Sequence, residues 1–179
     1  MKKVFSILMV ALMGLALCVT AACNKDDNST NNTENNGGGS TGEYVDLGLP
    51  SGTKWKNANE VNAADAEYNF YTYDEAVAAF GNALPTREQL DELRSRQLTW
   101  TWNGRGYTVT GPNGHSIFLP AAGFRYCSGD VNYVGSDGYY WSSTPNGSAD
   151  AWYLNFSSGG VGMGYYYRCD GRSVRLVHN

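Results

Sequence analysis

Beyond Gln97 the chain contains no lysine, no glutamate and no glutamine. The charged residues left in that half are four aspartates and five arginines. Charged side chains make up 17% of the 179 residues, against ~25% in an average domain, where Lys and Glu are among the commonest residues. The formal net charge is −4, so the basic footprint that nucleic-acid binding requires is missing. No CxxC or Cys/His cluster offers a metal-ligand spacing. His115 and His178 are the only histidines, and neither has a nucleophile or an orienting acid beside it in sequence. Asp91 and Glu92 lie in a helical stretch and read as a solvated face. The one glycine-dense run, "GGVGMG", leads into tyrosines and a strand, which is the wrong context for a phosphate cradle. These absences point to a binding protein without a cofactor, and away from an enzyme.

The start of the chain reads as a targeting segment. Lys2 and Lys3 precede an apolar run from Val4 to Thr20, too short for the ~20 residues of a comfortable membrane span, and small residues precede Cys23. That order describes a secretory signal, and Ala21-Ala22-Cys23 resembles a bacterial lipobox. The expectation is a lipoprotein signal peptide over 1–22 and a diacylated Cys23. From Cys23 to Glu43 the polar run "NKDDNSTNNTENNGGGSTGE" has no aromatic or aliphatic residue, so it cannot offset its ordering entropy and reads as a flexible tether. "CNKDD" resembles the export signal of Bacteroidetes outer-leaflet lipoproteins. An outer-membrane, cell-surface location follows, with the lipid as the sole membrane attachment. Loss of Lys2 and Lys3 leaves 11 of the 13 basic residues against 17 acidic ones, a mature formal charge of −6. Cys127 and Cys169 then remain, able to form one disulfide or to stay apart.

The folded part is expected over 44–179, long enough for one real core. "YVDLGLPSGTKW" opens it with a short strand and a Pro-Ser-Gly turn. Thr72 with Glu75, and Thr86 with Gln89, form two capping-box patterns, and Gly81 closes the first helix. After Leu98 the pattern becomes short alternating or apolar runs, with "TGPNG" as a hairpin connection. Helices first and strands after predict an α+β domain.

The closing stretch "SSGGVGMGYYYRCDGRSVRLV" carries two patterns at once. Val161 and Met163 alternate with Gly160, Gly162 and Gly164, which leaves one apolar face and one bare face. Tyr165 to Arg172 then mixes aromatic, charged and small residues. Tyr, Ser, Gly, Asn and Arg are the vocabulary of antibody paratopes, in which Tyr supplies rigid amphipathic area at low entropy cost. The genetic code adds a second constraint. Changing only adenines in an Asn codon reaches Gly, Tyr, Ser, Asp, Cys, Arg and His, but never Lys, Glu, Gln, Met or Trp. In "GGVGMGYYYRCDGRS" only Met163 falls outside the reachable set, which is the footprint of adenine-directed mutagenesis and accounts for the missing Lys, Glu and Gln.

"YVDLGLPSGTKW", "LPTREQLDEL", "YTVTGPNGHSIFLPAAGFR", "GYYWSST" and "SVRLV" together resemble the Fibrobacter succinogenes major paralogous domain of Bacteroidetes surface lipoproteins. The resemblance covers Tyr44 to Val177 and implies a C-type lectin-like fold. With the tail it is similar to variable proteins of diversity-generating retroelements, which copy a template with adenine errors into the end of a gene. It implies a variable surface for an unknown protein or glycan ligand, made of Tyr126, Asp130, Asn132, Tyr133, Asp137, Asn146, Ser148, Asp150, Tyr153, Asn155, Ser157, Tyr165, Tyr166, Tyr167, Arg168, Cys169, Asp170 and Arg172. Trp141, Trp152, Leu154, Phe156, Met163, Val174 and Leu176 would be framework. The Glu/Gln-Pro-Asn and Trp-Asn-Asp elements of calcium-dependent lectins are missing: "GPN" and "TPN" lack the preceding acid or amide, and Trp141 is followed by Ser142-Ser143. An undiversified carbohydrate-binding or adhesion module is the main alternative. An oxidase similar to formylglycine-generating enzymes, using Cys127 and Cys169, is a further one.

Overall fold

The computed structural model describes residues 43–179. The expected signal peptide, the lipidated Cys23 and the tether as far as residue 42 lie outside the described residues. The strands are Tyr44–Asp46 (β1), Lys54–Lys56 (β2), Thr99–Trp102 (β3), Gly106–Thr110 (β4), Ser116–Pro120 (β5), Phe124–Arg125 (β6), Val131–Asn132 (β7), Asp137–Asn146 (β8), Asp150–Ser157 (β9), Gly160–Tyr167 (β10) and Val177–His178 (β11). The helices are Tyr73–Phe80 (α1) and Arg87–Glu92 (α2). Four small sheets result, with orders β1-β2-β11, β3-β4-β5, β6-β7 and β10-β9-β8, all antiparallel.

Both capping boxes form. The Thr72 N–H donates to Glu75 Oε2 at 2.8 Å and the Thr86 N–H to Gln89 Oε1 at 2.8 Å, and each threonine hydroxyl accepts in return. The α+β, C-type lectin-like arrangement of two helices followed by strands is nonetheless overturned. Strands dominate, β1 and β2 precede the helices, α1 has 8 residues and α2 only 6. A capping box satisfies the first orphan N–H groups and so fixes where a helix begins; its length depends on propagation and packing further on. Gly81, at φ +50°, ends α1. After α2 the backbone closes into turns through Arg94 N–H to Asp91 O and Ser95 N–H to Glu92 O, and buries Leu93 and Leu98 instead of extending the helix.

The β8–β9–β10 sheet separates two apolar clusters. Directly opposed residues of antiparallel strands share a face. On one face Leu154 and Phe156 oppose Met163 and Val161 and join Leu47, Trp55, Leu90, Val109, Ile117 and Tyr140. On the other, Trp141 and Ala151 join Tyr73 and Ala76 of α1, with Leu84, Val174 and Leu176. Among the expected framework residues, Trp141, Leu154, Phe156, Val174 and Leu176 are buried, and Trp152 and Met163 half-buried. Arg175 is buried too. Its guanidinium donates to Lys56 O at 2.8 Å, Phe118 O at 2.7 Å and Asn59 Oδ1 at 2.6 Å, tying the last segment to two sheets. Burial pushes its pKa down, and the nearby Tyr140 opposes that.

Tyr140 gives a pH signature. Its hydroxyl donates to Pro120 O at 2.8 Å, and burial pushes its pKa up to about 12. The raised value belongs to the folded state, so the unfolded tyrosine ionises first, near 10. Its contribution is complete below pH 10 and is lost between pH 10 and 12. Two units correspond to ~3 kcal/mol. Denaturant unfolding at pH 8 and at pH 11 should show this decline, and Tyr140→Phe should flatten it in part. Tyr139, Tyr71 and Tyr73, also raised by burial, contribute to the remainder.

Candidate functional site

The bare face foreseen for β10 exists, and it exposes its neighbour. Gly160, Gly162 and Gly164 oppose Ser157, Asn155 and Tyr153, while β8 brings Asp137 and Tyr139 opposite Ser157 and Asn155. With no side chains on this rung of β10, the residues of β9 lean across it. A Cβ at Gly162 would lie 2.8 Å from Asn155 Oδ1, and one at Gly164 would lie 2.8 Å from the Tyr153 ring. Any larger residue there would push those two side chains aside.

Next to this rung stands an aromatic group built from β6 and the segment after β7. Phe124 packs against Tyr126 at 4.5 Å, Tyr133 at 6.0 Å and Tyr139 at 4.8 Å between ring centroids, and Tyr139 reaches Tyr153 at 5.9 Å. Tyr126, Tyr133 and Val134 are exposed. Tyr133 sits at φ +62°, an uncommon conformation for a side-chain-bearing residue, held by Ser136 N–H and Asp137 N–H donating to its carbonyl. Asp130 is exposed at the tip of the β6–β7 turn, where it accepts from Ser128 Oγ at 2.9 Å, and Asn132 is half-buried opposite Phe124. Asp137 is half-buried and accepts from the Tyr139 hydroxyl at 3.2 Å. Desolvation and that aspartate both raise the Tyr139 pKa, so the phenol stays a neutral donor.

Asn146, Ser148 and Asp150 lie at the β8–β9 hairpin, Ser148 exposed and the other two half-buried. Tyr153, Asn155 and Ser157 line the half-open face described above. Tyr165, Tyr166 and Tyr167 are each about half exposed, at 52%, 45% and 51%. Strand alternation divides them. Tyr165 and Tyr167 oppose Trp152 and Asp150 on one face, and Tyr166 opposes Ala151 on the other. The tyrosine run therefore does not extend a single continuous surface, as the sequence suggested. Tyr165 packs against Trp152 at 5.1 Å, and the Arg87 guanidinium lies 3.8 Å over that indole.

Asp170 and Arg172, expected on the binding surface, are buried at 0% and 1% exposure. Arg172 Nη2 donates to Asp170 Oδ2 at 3.0 Å, and the guanidinium lies 4.3 Å from the ring centres of both Trp141 and Tyr153 and 5.3 Å from that of Phe124. Its Nε and Nη1 have no hydrogen-bond acceptor among the described residues, and the ring faces take their place. Desolvation lowers the Arg172 pKa while Asp170 raises it. The backbone path buries both residues. The segment after Cys169 leaves the sheet edge and enters the core beside β8, through Trp141 N–H to Ser173 O and the bridge between Tyr71 and Arg172. Arg168 is half-buried, paired with Asp74 and 4.6 Å over the Tyr73 ring, so it fastens β10 to α1. Cys169 is exposed and bonded to Cys127. The Cys127 N–H donates to Asp170 Oδ1 at 3.1 Å.

A domain of unknown function, DUF8237, matches residues 110–177. No curated protein and no solved structure matches the chain. The matched segment holds every residue expected on the binding surface, and leaves out both helices, β1 and β2. Two members of the aromatic group, Phe124 and Tyr139, were not expected on the binding surface. Phe124 precedes a turn, and Tyr139 stands inside "GYYW", whose alternation marks a strand. The shared parity of Asp137, Tyr139 and Trp141 in one alternating run was the available signal for Tyr139.

Proposed function

We propose that the chain is a surface lipoprotein whose folded part captures a ligand, without catalysis, through side chains that adenine-directed mutagenesis rewrites. It would be a relative of the Fibrobacter succinogenes major paralogous domain and a target of a diversity-generating retroelement. The observation that carries the proposal is the division within β9 and β10. Leu154, Phe156, Val161 and Met163 turn toward the core, while Tyr153 and Asn155 lie on the face bared by Gly162 and Gly164, beside the exposed Tyr126 and Tyr133. Arg172, Asp170 and Arg168 leave the contact set and become its support. The contact set on the face bared by β10 is then Tyr126, Asp130, Tyr133, Asp137, Tyr139, Tyr153, Asn155 and Tyr166, with Tyr165 and Tyr167 on the opposite face of the strand. Aromatic side chains supply most of the energy of such surfaces.

The locus tests the diversification. A neighbouring reverse transcriptase and a repeat of the 3′ end that differs at adenines are expected, and a locus with neither would refute it. Binding is tested separately. Once a ligand is found by cell-surface pull-down or glycan array, Tyr126→Ala with Tyr166→Ala should weaken it by tenfold or more, as hot-spot losses of over 1 kcal/mol imply. The melting temperature should hardly move, because exposed substitutions cost within about 0.5 kcal/mol. Unchanged affinity would favour an undiversified adhesion module that binds elsewhere.

A further inference from the structure

A second concavity lies where the turn after α2 meets the β3–β4 hairpin and the start of β10. It encloses about 380 Å³ and is lined by Arg94, Ser95, Arg96, Leu98, Trp100 and Tyr107, with Gly160 and Val161 closing one side. Six of its lining residues lie outside the segment expected to vary. The polar atoms of its aromatic floor are already engaged. Trp100 Nε1 donates to Leu93 O at 2.8 Å, and the Tyr107 hydroxyl to Ser157 O at 3.1 Å. The two rings meet edge to face at 5.2 Å. Tyr107 is buried, so what reaches an incoming molecule is the carbon surface of the half-buried Trp100. The free polar capacity comes from the other wall. Ser95 Oγ is enclosed and has no hydrogen-bond partner among the described residues. Arg94 pairs with Asp91, whereas Arg96 is exposed and has no carboxylate partner among the described residues. The local balance is one uncompensated guanidinium beside a hydroxyl and an aromatic floor.

We propose that this concavity is a binding site for a small carboxylate attached to a flat apolar face, either an acidic sugar or an arylacetate. The carboxylate would take the planar fork of Arg96, which suits it bidentately. The flat face would lie on the half-buried Trp100, behind which the enclosed Tyr107 ring holds the indole in place. The site is independent of the tyrosine surface, and each can fail without the other.

The experiment is titration of the folded chain with glucuronate and with phenylacetate, followed by NMR shifts of the Trp100 indole N–H. Glucose and phenylacetamide serve as neutral counterparts. Saturable binding of one acid at concentrations up to ~10 mM is expected, with its neutral counterpart silent. Whichever acid binds names the source. Arg96→Gln, an exposed change that leaves the core intact, should weaken binding about tenfold, the scale of a charge-assisted hydrogen bond. Failure of both acids to bind, equal binding of a neutral counterpart, or unaltered binding in Arg96→Gln would overturn the proposal.

Discussion

Arg172→Ala should cost the folded chain about 3–5 kcal/mol, the scale of removing one partner from a buried ion pair. The side chain is 1% exposed and is the cationic partner of a carboxylate that is itself fully enclosed. Its loss leaves Asp170 with the Cys127 N–H as its remaining hydrogen-bond donor, and opens a void among Phe124, Trp141 and Tyr153. Thermal unfolding should shift by roughly 10 °C, at the few degrees per kcal/mol typical of this size. Replacing Asp170 by Asn in the same background should recover part of the loss, since the stranded charge disappears while a side chain of similar shape remains. A shift of only one or two degrees in Arg172→Ala would mean that the pair does not hold the strand end in place.

Joint replacement of Cys127 and Cys169 by serine should cost about 4 kcal/mol, the loop-closure estimate for a cross-link spanning 42 residues. Both cysteines are exposed, so serine introduces little packing loss and the experiment isolates the cross-link. The contact between the Cys127 N–H and Asp170 survives as a backbone interaction. The oxidised wild type, the reduced wild type and the double variant should be compared by denaturant unfolding, with the last two agreeing. A variant as stable as the oxidised wild type would show that the closed loop adds nothing to the native fold. Four kcal/mol is a large share of the 5–15 kcal/mol that separates most domains from their unfolded state. The bond joins the β6–β7 turn to the end of β10, two places that carry proposed contact residues, so its stability and the shape of the binding surface are linked.

Much of this molecule is legible without coordinates, and the pattern of misses is instructive. Thr72, Glu75, Thr86 and Gln89 announce two helix starts, because capping is a local exchange of hydrogen bonds within four residues. Where α2 stops is decided by Leu93 and Leu98, which find the core only through a turn, and no local pattern states that. The alternation of Val161 and Met163 with glycines correctly foretells one covered and one bare face, since side-chain period two is a property of any strand. The fate of Asp170 and Arg172 is the opposite case. They follow Tyr165 to Tyr167 without a break in composition, and belong among exposed residues by every local measure. They are buried because Arg172 hydrogen-bonds through its backbone to Tyr71, about a hundred residues earlier in the chain, and stacks on rings from three separate strands.

By itself the sequence determined the spacing of caps and turns, the identity of the inward residues of β9 and β10, and the cysteine pair available for bonding. These depend on neighbours a few positions apart or on composition. The tertiary structure alone decided which polar residues go inside, that strands outweigh helices, and that Arg96, Trp100 and Gly160 share one hollow. Each of those outcomes rests on contacts between segments far apart in the chain, whose free energy appears only once the whole chain has closed upon itself.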